Sequence, residues 1–189
     1  MKNIFKIFFV LFFFLHKNIS VAIEIKTIAI VNNSTISNYD FRKTITALEE
    51  IKKEKVKTQE YSLILEKLIN NKIKNNEIEK NKIEVDNKIL EKLLSEKYPN
   101  LKNMNISKNA RNYLLDELKI NYKWNLLLNK KFNNKLTVNI NEIDEVMKSR
   151  KIPDDKKNSF ILVEKNKKLL TISNTYFNEI LSKTYVEKF

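Results

Sequence analysis

Not one of the 189 residues is glycine. A left-handed backbone turn normally falls to glycine, because any Cβ crowds the neighbouring carbonyl there. Asn is the next most tolerant residue, so turns are expected at Asn32-Asn33, Asn75-Asn76 and Asn133-Asn134. The same absence excludes glycine-rich phosphate loops and dinucleotide-binding fingerprints, whose backbones must approach a ligand closely. There is no Cys either. The fold must therefore rely on packing alone, and thiol catalysis and Cys zinc sites are excluded.

The chain opens with a short basic stretch, Met1 to Lys6, followed by nine uninterrupted apolar residues from Ile7 to Leu15. That run is too short for a membrane span, which needs about 20 residues. Small residues at Ser20 and Ala22 frame a cleavage point after Ala22. Charged start, short apolar run and small-residue exit are the three parts of a secretory signal peptide. The mature protein is expected to begin near Ile23 and to work outside the cytoplasm. The alternative is an uncleaved anchor.

Loss of residues 1–22 removes Lys2, Lys6 and Lys17 and no acid, lowering the formal charge from +13 to +10. Such a balance usually points to nucleic acid. Here only Arg42, Arg111 and Arg150 offer the fork geometry that reads phosphates and bases. The many Lys, Asn and Ile residues have A/T-rich codons, so nucleotide bias is sufficient to explain them. No nucleic-acid partner is expected, and attraction for acidic partners is the remaining reading of the charge. His16 is the sole His. With it gone, the mature chain has no His base and no His metal ligand. The adjacent acids Glu49-Glu50, Asp116-Glu117 and Asp154-Asp155 diverge on a helix and read as solvated surface. No catalytic residue, metal or cofactor is expected.

Lys26 to Val31 reads as a strand and Ser34 to Ile36 as its hairpin partner. Ser37 followed by Asp40 is an imperfect capping box opening a helix with Phe41, Ile45 and Leu48 on one face. Lys52 to Lys57 reads as a solvated loop. Thr58 caps a second helix striped by Tyr61, Ile64, Leu65, Leu68, Ile69 and Ile73. Ile83 to Val85 reads as extended, and Asp86 caps a third helix that Pro99 stops. Ser107 starts a long helix ending near Phe132, apolar over so much of its surface that neighbours must cover several sides. Leu136 to Val138 reads as extended, Asn141 as the cap of a small helix, and residues 148–158 as a linker. Phe160–Val163 and Leu169–Ile172 can form two strands around a Lys-rich turn, with Ser173 capping a terminal helix. The fold class is thus mainly α, a helical bundle of about five to six helices with a few short strands.

In order and spacing these segments resemble SurA-type periplasmic chaperones. Ile28 to Asp40 resembles the family's opening strand, Asn turn and acidic-capped helix. Leu65 to Ile73, leading through Glu77 to Ile83-Glu84-Val85-Asp86, resembles the next signature. Ile120 to Phe132, with Trp124, resembles the following helix, and Leu136 to Met147 the closing one. The likeness spans residues 26–149. It implies a helical chaperone domain at 23–149, with residues 150–189 supplying a linker and a helix that folds back on the core. Relatives carry parvulin-type prolyl isomerase domains; the residues left here are too few for one, so isomerase activity is not expected.

The resemblance implies an ATP-independent holdase for unfolded polypeptides, chiefly outer-membrane protein precursors, that works in the periplasm and touches the inner membrane only during export. Such a protein needs an apolar groove whose contacts do not depend on fixed geometry. Leu63, Ile120 and Leu127 leave their helices' main stripes, and Tyr39 and Tyr113 are amphipathic; these five are the candidate groove residues. The competing reading for each is ordinary packing against another helix. The rival function is a membrane-tethered envelope scaffold, which retains residues 7–15 as its anchor.

Overall fold

A computed structural model describes residues 24–101 and 104–189; the expected export segment and its cleavage point at Ala22 lie outside the described residues. β1 (Thr27–Val31) alternates buried Ala29 and Val31 with half-buried Ile28 and Ile30, the two-residue period of a strand with one face on a core. Asn32, at φ 51, makes the turn, and β2 (Ser34–Ser37) returns antiparallel. The third strand, β3 (Val186–Lys188), comes from the far end of the chain and pairs antiparallel with the other edge of β1, giving the order β2-β1-β3.

The Ser37 side chain accepts from Asp40 N–H, and the Asp40 carboxylate accepts from Ser37 N–H at 3.0 Å. This reciprocal box starts α1 (Asn38–Lys52) as read from sequence. The Lys-rich stretch after it is not wholly solvated. Val56 is buried with Ile45 and Ile64, held by its N–H donating to Glu49 at 3.1 Å. Thr58–Glu60 is a 3-10 turn, so Thr58 is not the cap of the helix itself, and α2 runs from Tyr61 to Lys80. Asp86 accepts from Lys88 N–H and caps α3 (Asn87–Lys97); Ile83 to Val85 before it pairs with no strand. Ser107 caps α4 (Lys108–Leu136). That helix bends at Phe132 (φ −126, ψ 21), where the sequence ended it, and continues one turn to the buried Leu136. Asn139, not Asn141, caps α5 (Ile140–Ser149).

The two strands expected at Phe160–Val163 and Leu169–Ile172 are one helix, α6 (Lys157–Leu181). Short apolar runs do not by themselves distinguish strand from buried helix. Here Leu, Lys and Glu favour the helix, and no Pro interrupts it between 157 and 181. Ser173 lies inside α6 and caps nothing. Among the described residues the fold is six helices around one small antiparallel sheet, mainly α as expected.

α4 is the central helix, packed by α1, α2, α3 and α6. One part of the core joins Ile78 of α2, Ile83, Trp124, Leu127 and Leu128 of α4, and Tyr176 of α6. A second part seats Ile69 and Ile73 of α2 beneath Ala29, Val31 and Ile36 of the sheet.

Only the first of the three expected Asn turns is a turn. Asn75-Asn76 lies within α2 and Asn133-Asn134 within α4. Among the described residues, Lys53, Lys82 and Lys151 take the other left-handed positions, at φ 59, 52 and 54. A Lys there carries the Cβ clash that glycine avoids. Lys53→Gly, at the end of α1, is therefore expected to stabilise the protein by roughly 0.5–1 kcal/mol. Thermal melts should show a rise of about 2–4 °C per kcal/mol.

Candidate functional site

A cleft of ≈ 540 Å³ opens between β2, α1, α2 and α4. Its floor is apolar, from Ile36, Leu68, Ile78 and Ile120. Its walls are charged and carry amides from Asn71, Asn75 and Asn109. It is a mixed cleft, polar and apolar in similar measure.

Of the five candidate residues, only Tyr113 and Ile120 line it. Tyr113 is half-buried, and its hydroxyl accepts from Lys67 Nζ at 2.7 Å. Ile120 is largely covered and shows only its edge. Leu127 is wholly buried between Trp124 and Leu128 and lines no surface. Its position opposite the Leu114 face reflects a central helix packed on two sides. Tyr39 and Leu63 are exposed, at 49% and 70%, but neither lines the cleft.

Two of the acids set aside as solvated surface, Glu117 and Glu50, instead tie helices together. Glu117 pairs with Lys67 at 2.6 Å and accepts from Asn71 Nδ2 at 2.5 Å, tying α4 to α2. Burial lifts the pKa of Asp116 above its ordinary value, with Lys119 and Lys43 opposing the shift. Glu50 accepts from both the N–H and the hydroxyl of Ser107, linking α1 to the start of α4. Sequence neighbours diverge on a helix, but each can still meet a different partner helix, which spacing alone does not reveal.

A second hollow, of ≈ 390 Å³, lies over a buried polar node. Glu77 accepts from Tyr176 Oη at 2.5 Å, from Asn81 Nδ2 at 2.7 Å and from Lys131 Nζ at 3.1 Å. Lys131 also donates to Tyr176 Oη at 2.5 Å. Burial works against the Glu77 carboxylate, but the three donors outweigh it and hold its pKa below the ordinary value. Burial likewise opposes the Lys131 ammonium, and Tyr176 and Glu77 outweigh it, raising that pKa. The Tyr176 phenol is pushed up by burial and by Glu77, with Lys131 opposing. None of these residues stood out in sequence as a site; what they share is only visible once α2, α4 and α6 converge.

Lys74 stands apart. Its Nζ lies 5.7 Å from the ring centres of both Trp124 and Phe177, where cation–π attraction replaces some lost hydration. Burial pushes its pKa down, with Glu117 opposing and Lys67 reinforcing.

Exposed apolar residues are spread from Ile25 to Phe189, and three of them lie close together on α6. The first half of α6 presents Leu162, Val163 and Leu170 to solvent at 58%, 48% and 63%. Val163 and Leu170, seven residues apart, fall on one side of the helix.

Among the described residues, no group of three or more His, Cys, Asp and Glu could hold a metal ion, and no helix is long and apolar enough to cross a membrane. No protein-family model matches the chain, and no curated protein matches it significantly.

Proposed function

We propose that this chain is an exported, ATP-independent chaperone that holds unfolded polypeptides, outer-membrane protein precursors among them, as its likeness to SurA-type chaperones implies. One observation carries the reading: the first half of α6 leaves Leu162, Val163 and Leu170 uncovered on a helix otherwise anchored to the core by Tyr176, Phe177 and Ile180. Singly exposed apolar residues are ordinary. Three within little more than two turns of one well-anchored helix offer a firm greasy surface to a chain that has not yet buried its own. Lys165, Lys167 and Lys168 lie between them and keep the helix soluble. Contacts of this kind are non-directional and individually weak, so release needs no nucleotide.

The test is suppression of aggregation. Stoichiometric protein, without nucleotide, should keep an unfolded outer-membrane protein from scattering light. Each exposed side chain offers roughly 1 kcal/mol or more on burial. Leu162→Ser/Val163→Ser/Leu170→Ser should therefore weaken client binding by at least about tenfold, with little change in melting temperature. Suppression unaffected by the triple substitution would place client contact elsewhere. No suppression by the unsubstituted protein would remove the reading. N-terminal sequencing of the exported protein separates it from the tethered scaffold, since only cleavage after Ala22 frees the domain.

A further inference from the structure

We infer that the cleft between β2, α1, α2 and α4 receives an extended acidic segment of the bound polypeptide, an inference that rests on the polypeptide-holding reading. Four lysines line the cleft: Lys43 from α1, Lys72 from α2, and Lys119 and Lys123 from α4. Among the described residues none of the four is in an ion pair. Lys72, Lys119 and Lys123 are half-buried as well.

Elsewhere in this protein a half-buried lysine is compensated: Lys157 has Asp144 at 2.6 Å, and Lys74 lies over the rings of Trp124 and Phe177. A partly desolvated ammonium without a partner is unfavourable, and an incoming anion relieves that cost. The cleft holds acids too. Glu117 is neutralised by Lys67, whereas Asp40 accepts from the N–H and hydroxyl of Ser37 and keeps its charge. Asp40, Glu79 and Asp116 therefore remain, three carboxylates against four ammoniums.

The shape favours a polypeptide over a compact anion. β2 is a terminal strand of the sheet, hydrogen-bonded only to β1, and its Thr35 and Ile36 line the cleft. An extended chain can therefore find main-chain partners along the strand while its side chains meet the lysines. Asn71, Asn75 and Asn109 add amide donors and acceptors, and the floor accepts intervening apolar side chains. The occupant that fits is a strand alternating acidic and apolar residues.

The experiment uses the full chain and a short fluorescein-labelled peptide alternating Glu with Val, beside a twin with Gln at every Glu. Fluorescence anisotropy should show the Glu peptide binding roughly tenfold more tightly than its twin at low salt. The preference should shrink as salt rises. Lys72→Gln/Lys119→Gln/Lys123→Gln should abolish the preference. Arg at the same three positions should retain it, separating lost charge from lost structure. Gln at Lys88, Lys97 and Lys148, all exposed and outside the cleft, removes equal charge and should also retain it.

Equal binding of the two peptides by the unsubstituted chain overturns the assignment. So does an equal loss in the Lys88/Lys97/Lys148 variant, or Arg substitutions that behave like Gln. A single-stranded oligonucleotide that displaces the labelled peptide at lower concentration than unlabelled Glu peptide overturns it in favour of a nucleic acid. Aggregation suppression is scored separately. If suppression holds while any of these results appears, the cleft assignment fails alone; if suppression fails, the holding reading fails with it.

Discussion

Trp124→Ala is expected to destabilise the protein by about 3–5 kcal/mol, a large share of the roughly 5–15 kcal/mol that holds a domain folded. Trp124 is 2% exposed at the centre of α4 and packs with Leu127, Leu128, Ile78 and Tyr176. It stacks on Tyr176 with ring centres 5.7 Å apart and meets Phe177 edge-on at 6.4 Å. Its indole N–H donates to Ser173 Oγ at 2.9 Å, so the substitution also leaves that hydroxyl without its donor. Removing the indole empties the junction of α2, α4 and α6, which cannot collapse without moving a helix. At about 2–4 °C per kcal/mol, the melting temperature should fall by roughly 6–20 °C. Circular dichroism is the measurement, since this is the sole Trp and the variant has no indole fluorescence. Leu63→Ala, on an exposed side chain, is the control and should change stability by less than about 0.5 kcal/mol. A Trp124→Ala protein that melts with the wild type would mean that α6 does not rest on α4 as described.

What the sequence made legible was local. The β1–β2 hairpin, the Ser37–Asp40 box, the Asp86 and Ser107 caps and the central character of α4 each depend on residues within a few positions of one another. α6 was illegible because Phe160–Val163 and Leu169–Ile172 satisfy a strand as well as a helix over so few residues. Only Tyr176, Phe177 and Ile180, bound to partners on other helices, decide between them. β3 was illegible for a related reason. Three residues at 186–188 carry no signal of their own, and the edge of β1 that they complete lies more than 150 positions away. The cleft was half legible. Ile120 could be picked out as surplus to a helix stripe and Tyr113 as amphipathic, but the lysines and acids of its walls look like any solvated face until four elements bring them together. Leu127 was chosen by the same rule as Ile120 and belongs wholly to the core. Position on a helix wheel says that a residue leaves the main stripe, not what it then meets.

The buried node of Glu77, Lys131, Tyr176 and Asn81 should give the protein both an acid and an alkaline edge of stability. Because the Glu77 pKa is lowered in the folded state, its contribution is fully present above the ordinary glutamate value of 4.5 and is lost as pH falls through the folded value. Lys131 and Tyr176 are raised from ordinary values of 10.5 and 10.0. In both, the unfolded chain releases its proton first, so stability declines as pH rises from those values through the folded ones. Glu77→Ala is expected to cost about 3 kcal/mol, the low end for breaking a buried pair because Lys131 still reaches water. Glu77→Gln keeps an acceptor for Tyr176 and should cost about 1–2 kcal/mol. It should also lose its share of the acid dependence. Tyr176→Phe removes the phenol that both Glu77 and Lys131 touch and should flatten part of the alkaline edge instead. Urea unfolding from acid to alkaline pH reads both edges, and the double variant measures the coupling, expected at about 1–2 kcal/mol. Additive costs, with both edges unchanged by either substitution, would mean that the three groups titrate independently and do not lock α2, α4 and α6 to one another.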